Sequence, residues 1–208
     1  MRVLVACEFS GKVKEAFRKN GHDAWSCDLE PSADNSPFHI QGDVLDLIYN
    51  GTWDLMIAHP PCTYLCVTGN KWFKDEYKER FPTRQQDRKD AIEFFLKLYN
   101  APIPKIAIEN PVGIISTVLR PPDQYVHPYM FGEPYSKKTG LWLKNLPKLK
   151  PTDIVDKGQF TTYKSGKKCA DWYSTNCDSL TMKERQKIRN TTFQGLADAM
   201  ANQWNAYY

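Results

Sequence analysis

Apolar positions in this chain fall in short runs of strand length, each closed by a polar or turn-forming cluster. Residues 2–7 (Arg-Val-Leu-Val-Ala-Cys) read as a buried first strand, with Glu8-Phe9-Ser10-Gly11 after it. Val13, Ala16 and Phe17 then mark one face of a short helix, with Ser10 as its N-cap and Asn20-Gly21 as its stop signal. Residues 22–28 form a second strand ending in acid. A Pro/Ser/Asn loop over 31–37 and Gly42-Asp43-Val44 lead into a short helix over 45–49. Residues 55–58 (Leu-Met-Ile-Ala) and 106–108 (Ile-Ala-Ile) are two further buried strands. Between them, 84–99 is amphipathic, with Ala91, Phe94, Phe95 and Leu98 on one face. Strands alternating with helices predict an α/β fold, a parallel sheet with helices on both faces.

Outside these runs the pattern is looser. Residues 63–84 are mixed, polar and too long for a simple turn, which predicts a mobile loop, a lid over the region that precedes it. Leu141-Trp-Leu is another strand, and 181–204 a final helical segment broken at 190–195. The stretch 137–168 carries nine Lys against two acids, Asp153 and Asp156, interleaved with Phe160 and Tyr163. It is either a nucleic-acid contact surface or an ordinary solvated basic loop. The whole, 1–208, reads as one domain with a small basic insert at about 145–180.

Composition narrows the class. With 41% hydrophobic and 25% charged residues the chain can bury a real core. No apolar run reaches the length of a membrane span, and the start MRVLVACEFSG lacks a cleavable signal design, so a cytoplasmic protein without a membrane partner is expected. Cysteines 7, 27, 62, 66, 169 and 177 are read as reduced thiols, since three stand at or near strand ends. The net charge of +4 permits binding to a polyanion without requiring it.

The strand endings carry the candidate chemistry. Pro60 and Pro61 forbid continuation of the 55–58 strand and hold Cys62 in a rigid turn at its carboxyl end, where ligands sit in open α/β sheets. Cys62 is therefore either a nucleophile or a small buried residue. The strand over 106–108 runs into Glu109-Asn110-Pro111, which brings a carboxylate to the same edge. The loop after the first strand offers backbone N–H groups to an anionic ligand group, and Phe9 there can cover an aromatic ring. Asp28 suits ribose hydroxyls and Asp43 an exocyclic amine, so the series describes an adenosine-containing cofactor. A Cys62 thiolate could add to an electron-poor ring carbon while Glu109 protonates the ring nitrogen. Cytosine suits this pair: attack at C6, with Glu109 at N3 and the 4-amino group, makes C5 nucleophilic toward an activated methyl group.

These residues resemble the cytosine-C5 DNA methyltransferases. Phe9-Ser10-Gly11 is similar to that family's first cofactor motif, Asp28 to its ribose acid, and Asp43-Val44 to its adenine-binding pair. Pro61-Cys62 resembles its nucleophile motif and Glu109-Asn110 its Glu-Asn motif. Gly132-Glu-Pro-Tyr-Ser-Lys137-Lys-Thr139 before Leu141-Trp-Leu is similar to its Gly-x-Pro-Gln-x-Arg-x-Arg segment, and Leu180-Thr-Met-Lys-Glu184 and Gln194-Gly195 resemble its last two motifs. The resemblance implies a Rossmann-like S-adenosylmethionine-dependent methyltransferase sheet acting on nucleic acid, DNA first. It implies Cys62 as covalent nucleophile and Glu109 as ring-activating acid. Phe9, Ser10, Gly11, Asp28, Asp43, Val44 and Pro60 would line the cofactor site, and Pro61, Asn110, Lys137 and Thr139 would meet the substrate. Pro111 stands where the family has Val, and Tyr135, Lys137 and Thr139 where it has Gln, Arg and Arg. The residues between Thr139 and the last helix are too few for the family's separate target-recognition domain.

Other readings use the same residues. Amino-directed methyltransferases have Asp/Asn-Pro-Pro-aromatic at this strand end, and His59-Pro-Pro-Cys62 has the prolines without the flanks. His59, Cys62 and Cys66, with Cys169 or Cys177, could ligate a metal, but no Cys-x-x-Cys pair occurs and no metal is expected. A catalytically degenerate fold that binds nucleic acid or protein, and an enzyme acting on single-stranded DNA, RNA or a nucleotide, are the alternatives to a duplex-DNA enzyme.

Overall fold

Alternation along the first strand decides how the sheet is covered. In this computed structural model, which describes residues 1–166, 168–171 and 181–205, β1 (Arg2–Ala6) sends Val3 and Val5 to one face and Leu4 and Ala6 to the other, all fully buried. The next strands are β2 (Asp23–Asp28), β3 (His39–Gln41), β4 (Leu55–Ala58) and β5 (Lys105–Pro111), followed by β6 (Gln124–Val126) and β7 (Thr139–Lys144). They form one sheet in the order β3-β2-β1-β4-β5-β7-β6. The first five are parallel, and β7 pairs antiparallel with both β5 and β6.

Helices cover both faces. The face of Val3 and Val5 packs against α1 (Lys12–Lys19) through Val13 and Phe17, and against the last helix (Gln194–Asn205) through Leu196, Met200 and Trp204. The face of Leu4 and Ala6 packs against α2 (Leu45–Asn50), α3 (Arg84–Tyr99) and α4 (Ile115–Val118) through Ile48, Phe95, Leu98 and Ile115. This is an α/β Rossmann-like sheet, doubly wound, with its order reversing between β1 and β4. Because the first five strands are parallel, their carboxyl ends all lie at one edge of the sheet.

Several sequence expectations need correction. Ser10 does not cap α1: Gly11 is the capping position, in the left-handed conformation at φ 74°. A side chain there would run into the Asp34 carboxylate, so both backbone and space call for glycine. Residues 63–84 are not a featureless loop but hold two 3-10 segments, Val67–Phe73 and Asp75–Tyr77. The final helical segment is, as expected, broken within 190–195, into α5 (Met182–Asn190) and α6 (Gln194–Asn205). The basic insert contains a two-stranded hairpin, β8 (Phe160–Thr162) and β9 (Lys168–Ala170), too short to carry a readable alternation. Lys167 and the 172–180 part of that insert, with Cys177 and Leu180, lie outside the described residues. No helix among the described residues is long and apolar enough to cross a membrane.

Candidate active site

The carboxyl ends of β1, β4 and β5 lie side by side and carry three titratable residues: Glu8 two residues after β1, His59 directly after β4, and Glu109 within the last residues of β5. The His59 N–H donates to the Ala6 carbonyl at 2.9 Å, which extends the β1–β4 ladder by one step. The prolines then end it, Pro60 buried and Pro61 exposed. Asn110 is buried, and its Nδ2 donates to the Pro60 carbonyl at 3.2 Å, tying the turn that presents Cys62 to the strand that presents Glu109. Asn110 thus acts on the turn, while its Oδ1 is buried without a partner.

The chain beyond Cys62 is clamped to the chain beyond Glu109. The Cys62 carbonyl accepts from the Leu65 and Cys66 N–H groups, both at 3.0 Å, while Val67 N–H donates to Val112 at 3.0 Å and Ile114 N–H to Leu65 at 2.9 Å. Gly113 sits where a Cβ would overlap the Leu65 carbonyl, so only glycine permits this approach. The clamp brings Cys66 beside Cys62. The hydrogen bond between the two thiols, with burial, holds the Cys62 thiol above its ordinary value. Cys66 is shifted the other way: Cys62 donates to it first, and the Thr68 hydroxyl and backbone N–H groups of Gly69 and Thr68 add to this against the cost of burial. Its Sγ stands 3.0 Å from Thr68 Oγ1. The two thiols therefore titrate as a pair, in which ionisation of one is helped by the proton kept on the other.

Glu109 and His59 form the second half of the site. Glu109 Oε2 lies 3.0 Å from His59 Nδ1, with the two side chains 10% and 9% exposed. Oε2 lies off the line of a good hydrogen bond, and it and His59 Nε2 are buried without an aligned partner. Burial by itself would raise the Glu109 carboxyl, but the His59 ring and then the Lys137 charge outweigh it and hold the group below its ordinary value. For His59, burial would lower the ring and Lys137 also opposes its charge; Glu109 and then Glu8 prevail and hold it above its ordinary value. The pair thus favours its charged forms, the carboxyl held down by the ring and the ring held up by the carboxyl.

Glu8 changes the reading of the helix start. Its carboxylate accepts from the Val13 N–H at 2.8 Å and the Lys14 N–H at 3.2 Å, and Ser10 Oγ donates to it at 3.2 Å. Lys12 N–H reaches Ser10 Oγ at 3.5 Å, so the first-turn donors expected to meet an anionic ligand group are already engaged. Burial pushes the Glu8 carboxyl up against the His59 charge and these donors.

The remaining sites expected for a cofactor divide into two groups. Asp28, at the end of β2, and Asp43, after β3, both raise the Cys7 and Cys27 thiols through their charge, behind the larger effect of burial; Cys27 is pushed up to about 11. These carboxylates thus flank one patch beyond β1–β3. Asp28 is itself raised by burial, in part offset by the Glu30 N–H that its Oδ1 accepts at 2.9 Å. Asp43 is exposed and also accepts from the Leu45 N–H at 2.9 Å, opening α2. Phe9 is half-buried, and its carbonyl accepts from Ala33 at 2.9 Å. Val44, by contrast, packs in the core with Ile48 and Trp53 and is 4% exposed.

Among the expected substrate residues, Thr139 is buried in the sheet, paired with Pro111 and Val126. Lys137 lies close enough to act on Glu109, His59 and Cys62, and its Nζ donates to the Arg189 carbonyl at 3.0 Å. In the basic stretch, Lys138 lies over Tyr125 at 4.1 Å and Lys157 over Tyr129 at 5.4 Å, while Phe160 and Tyr163 are exposed. Among the described residues no three His, Cys, Asp or Glu side chains gather as metal ligands.

The 63–84 segment is stapled by α3. Arg88 Nε donates to the Tyr64 carbonyl at 2.9 Å, its Nη2 to Asn70 Oδ1 at 2.7 Å, and its guanidinium lies 3.4 Å from the Phe73 ring centroid. Replacing Arg88 with Ala should speed trypsin cleavage at Lys71–Arg80 by about tenfold, since losing bonds of this kind costs ~1.5 kcal/mol or more. Timed digestion of both proteins checks it, and equal rates would show that other contacts hold the segment.

Sequence reasoning missed Glu8 as the cap of α1, Cys66 as the partner of Cys62 and His59 as the partner of Glu109. The first two left a signal, an acid just before Phe9-Ser10-Gly11 and a Cys-x-x-x-Cys spacing. The His59–Glu109 pair left none, because β4 and β5 are neighbours only in the sheet.

No family model and no curated protein matches the sequence. Among solved structures, one described as a DNA modification methyltransferase encoded within a prophage (E. coli) is similar at 17% identity, with a TM-score of 0.47, over 75% of this chain and 52% of that one. The Dnmt2 methyltransferase of S. pombe is similar at 18% identity, with a TM-score of 0.44, over 71% of this chain and 50% of that one. The chain spans about half the length of these structures.

Proposed function

We propose that this protein is an S-adenosylmethionine-dependent methyltransferase that modifies C5 of cytosine in nucleic acid, DNA first, through covalent attack of Cys62 at C6. The observation that carries this reading is the juxtaposition of Cys62 and Glu109 at the ends of neighbouring strands, tied together through Asn110 and Pro60. A thiol and a carboxyl at one sheet edge, beyond a patch flanked by two acids, supply the groups that the reaction needs. Residues 1–208 act as one methyltransferase unit, in which the basic insert at about 145–180 contacts the nucleic acid through Phe160, Tyr163 and the neighbouring lysines.

The donor set fits the adenosine half of the cofactor. Asp28 would accept from ribose hydroxyls and Asp43 from the adenine amine, with Phe9 and Pro60 beside them. At the α1 terminus the Val13 and Lys14 N–H groups are taken by Glu8, so they would not serve the cofactor's carboxylate. S-adenosylmethionine bound there would supply an electrophilic methyl group. Cys62 passes its proton to the Cys66 thiolate and attacks C6, while the ring nitrogen N3 is protonated from the Glu109 side. C5 would then take the methyl group, the cofactor leaving as a neutral thioether. Loss of the C5 proton to solvent breaks the C6–S bond, N3 returns its proton toward Glu109, and Cys62 departs as a thiolate that recovers its proton from Cys66. A non-catalytic binding module is the second reading, favoured by the burial of Thr139 and by a Cys62 thiol held above its ordinary value.

Incubation with methyl-labelled cofactor and a panel of single-stranded DNA, duplex DNA, RNA and nucleotides tests the function, with 5-methylcytosine as the expected product. Calorimetry should show binding of S-adenosylmethionine or its demethylated product. Asp43→Ala should weaken that binding by about 1 kcal/mol, the worth of one hydrogen bond. Melting must be followed alongside, because Asp43 also opens α2. Absence of any binding to the unmutated protein would end the methyltransferase reading.

A further inference from the structure

Glu109 and the His59 ring are buried together at one edge of the sheet, close enough to hold a proton between them. We propose that His59 is the positioning residue that stores the proton Glu109 delivers to the base. The proposal rests on the methyltransferase reading for its reaction, though not for the proton-holding pair itself.

The argument begins with geometry. His59 is the first residue after β4 and Glu109 lies near the end of β5, so parallel register sets their side chains together, Nδ1 3.0 Å from Oε2. Both side chains are at least nine-tenths buried. An ionised pair in such a place is costly unless its remaining polar atoms find partners, yet His59 Nε2 and Glu109 Oε2 have none in good alignment. Catalytic hydrogen bonds are commonly misaligned before substrate binds and tighten around it. The groups that face the imidazole are Glu109 from β5, Glu8 from the end of β1, and Lys137 from the segment before β7. Two carboxylates against one ammonium favour the charged ring.

In the attack step, the Cys62 sulfur forms a bond to C6 with its own electron pair. The displaced pair of the ring settles at N3, which takes a proton from the Glu109 carboxyl. Glu109 takes that proton in turn from His59 Nδ1, leaving a neutral imidazole and the carboxylate unchanged. Proton and charge balance without any further donor.

Nitrogen-15 NMR of the four imidazoles through a pH titration is the first test, and it needs no activity. His59 should titrate above the ordinary histidine range in the unmutated protein, and Glu109→Gln should lower its midpoint by at least one pH unit. A His59 that titrates in the ordinary range or below, or that ignores Glu109→Gln, overturns the proposal. The second test is the pH profile of methyl transfer. Activity of the unmutated enzyme should fall as pH rises through the His59 midpoint, because the stored proton is lost there. In His59→Asn that alkaline limb should move to lower pH while cofactor affinity is kept; a limb that stays in place overturns the proposal. If the NMR result holds and no substrate is methylated, the pair stands and the methyltransferase reading is the one that fails.

Discussion

Cys62→Ser should abolish the denaturant-resistant adduct expected between the unmutated protein and a 5-fluorocytosine oligonucleotide in the presence of S-adenosylmethionine. Fluorine cannot leave C5 as a proton does, so an active enzyme stays joined to the base through sulfur. A serine hydroxyl at neutral pH is a far weaker nucleophile than a thiolate, so the loss is complete on the scale of a gel or mass measurement. From sequence, Cys66→Ser is expected to matter little. The structure changes that expectation, because Cys66 titrates as a pair with Cys62 and Cys62 must give up a proton to attack. Cys66→Ser should slow adduct formation without preventing it. An adduct that survives Cys62→Ser and vanishes with Cys66→Ser would move the nucleophile to Cys66. No adduct with DNA, RNA or nucleotide, despite cofactor binding, would leave the binding-module reading.

Glu109→Gln should lower methyl transfer by about 10²–10⁴-fold, the usual worth of a positioned acid–base group. The amide can still hydrogen-bond to the base but cannot relay a proton to N3. Cofactor affinity should change less than about twofold, since Asp28 and Asp43 stand beyond β2 and β3 while Glu109 ends β5, and one displaced neutral contact is worth little. Single-turnover methylation and calorimetry on the same preparation separate the two effects. An equal loss in both would mean that Glu109 supports the turn at Pro60–Cys62 instead of acting on the base.

Much of the fold was legible because local rules and tertiary packing agree. The runs at 3–6, 55–58 and 106–108 are apolar on both faces, as strands covered by helices on each side must be. Gly and Pro punctuation marked where they stop. The short elements were less so: β6, β8 and β9 have three residues each, fewer than a period needs to show itself. The excursion over 63–84 looked like loop because its order comes from Arg84 and Arg88, which lie on the helix after it.

Within the candidate site, the sequence by itself determined which residues end the strands: Asp28, Cys62 and Glu109 follow from apolar runs closed by acids and prolines. It also determined that Cys62 is held rigidly, because two prolines fix the dihedrals before it. Tertiary structure alone decided what state those groups are in. Sheet order made β4 and β5 neighbours and set His59 against Glu109, which holds that carboxyl below its ordinary value. The turn at Cys62, clamped at Gly113, set Cys66 beside Cys62 and coupled their titration. Glu8 folded back to close α1, so the anion site expected there was already filled. Protonation depends on burial and on charges a few ångströms away, and residues far apart in sequence supply both.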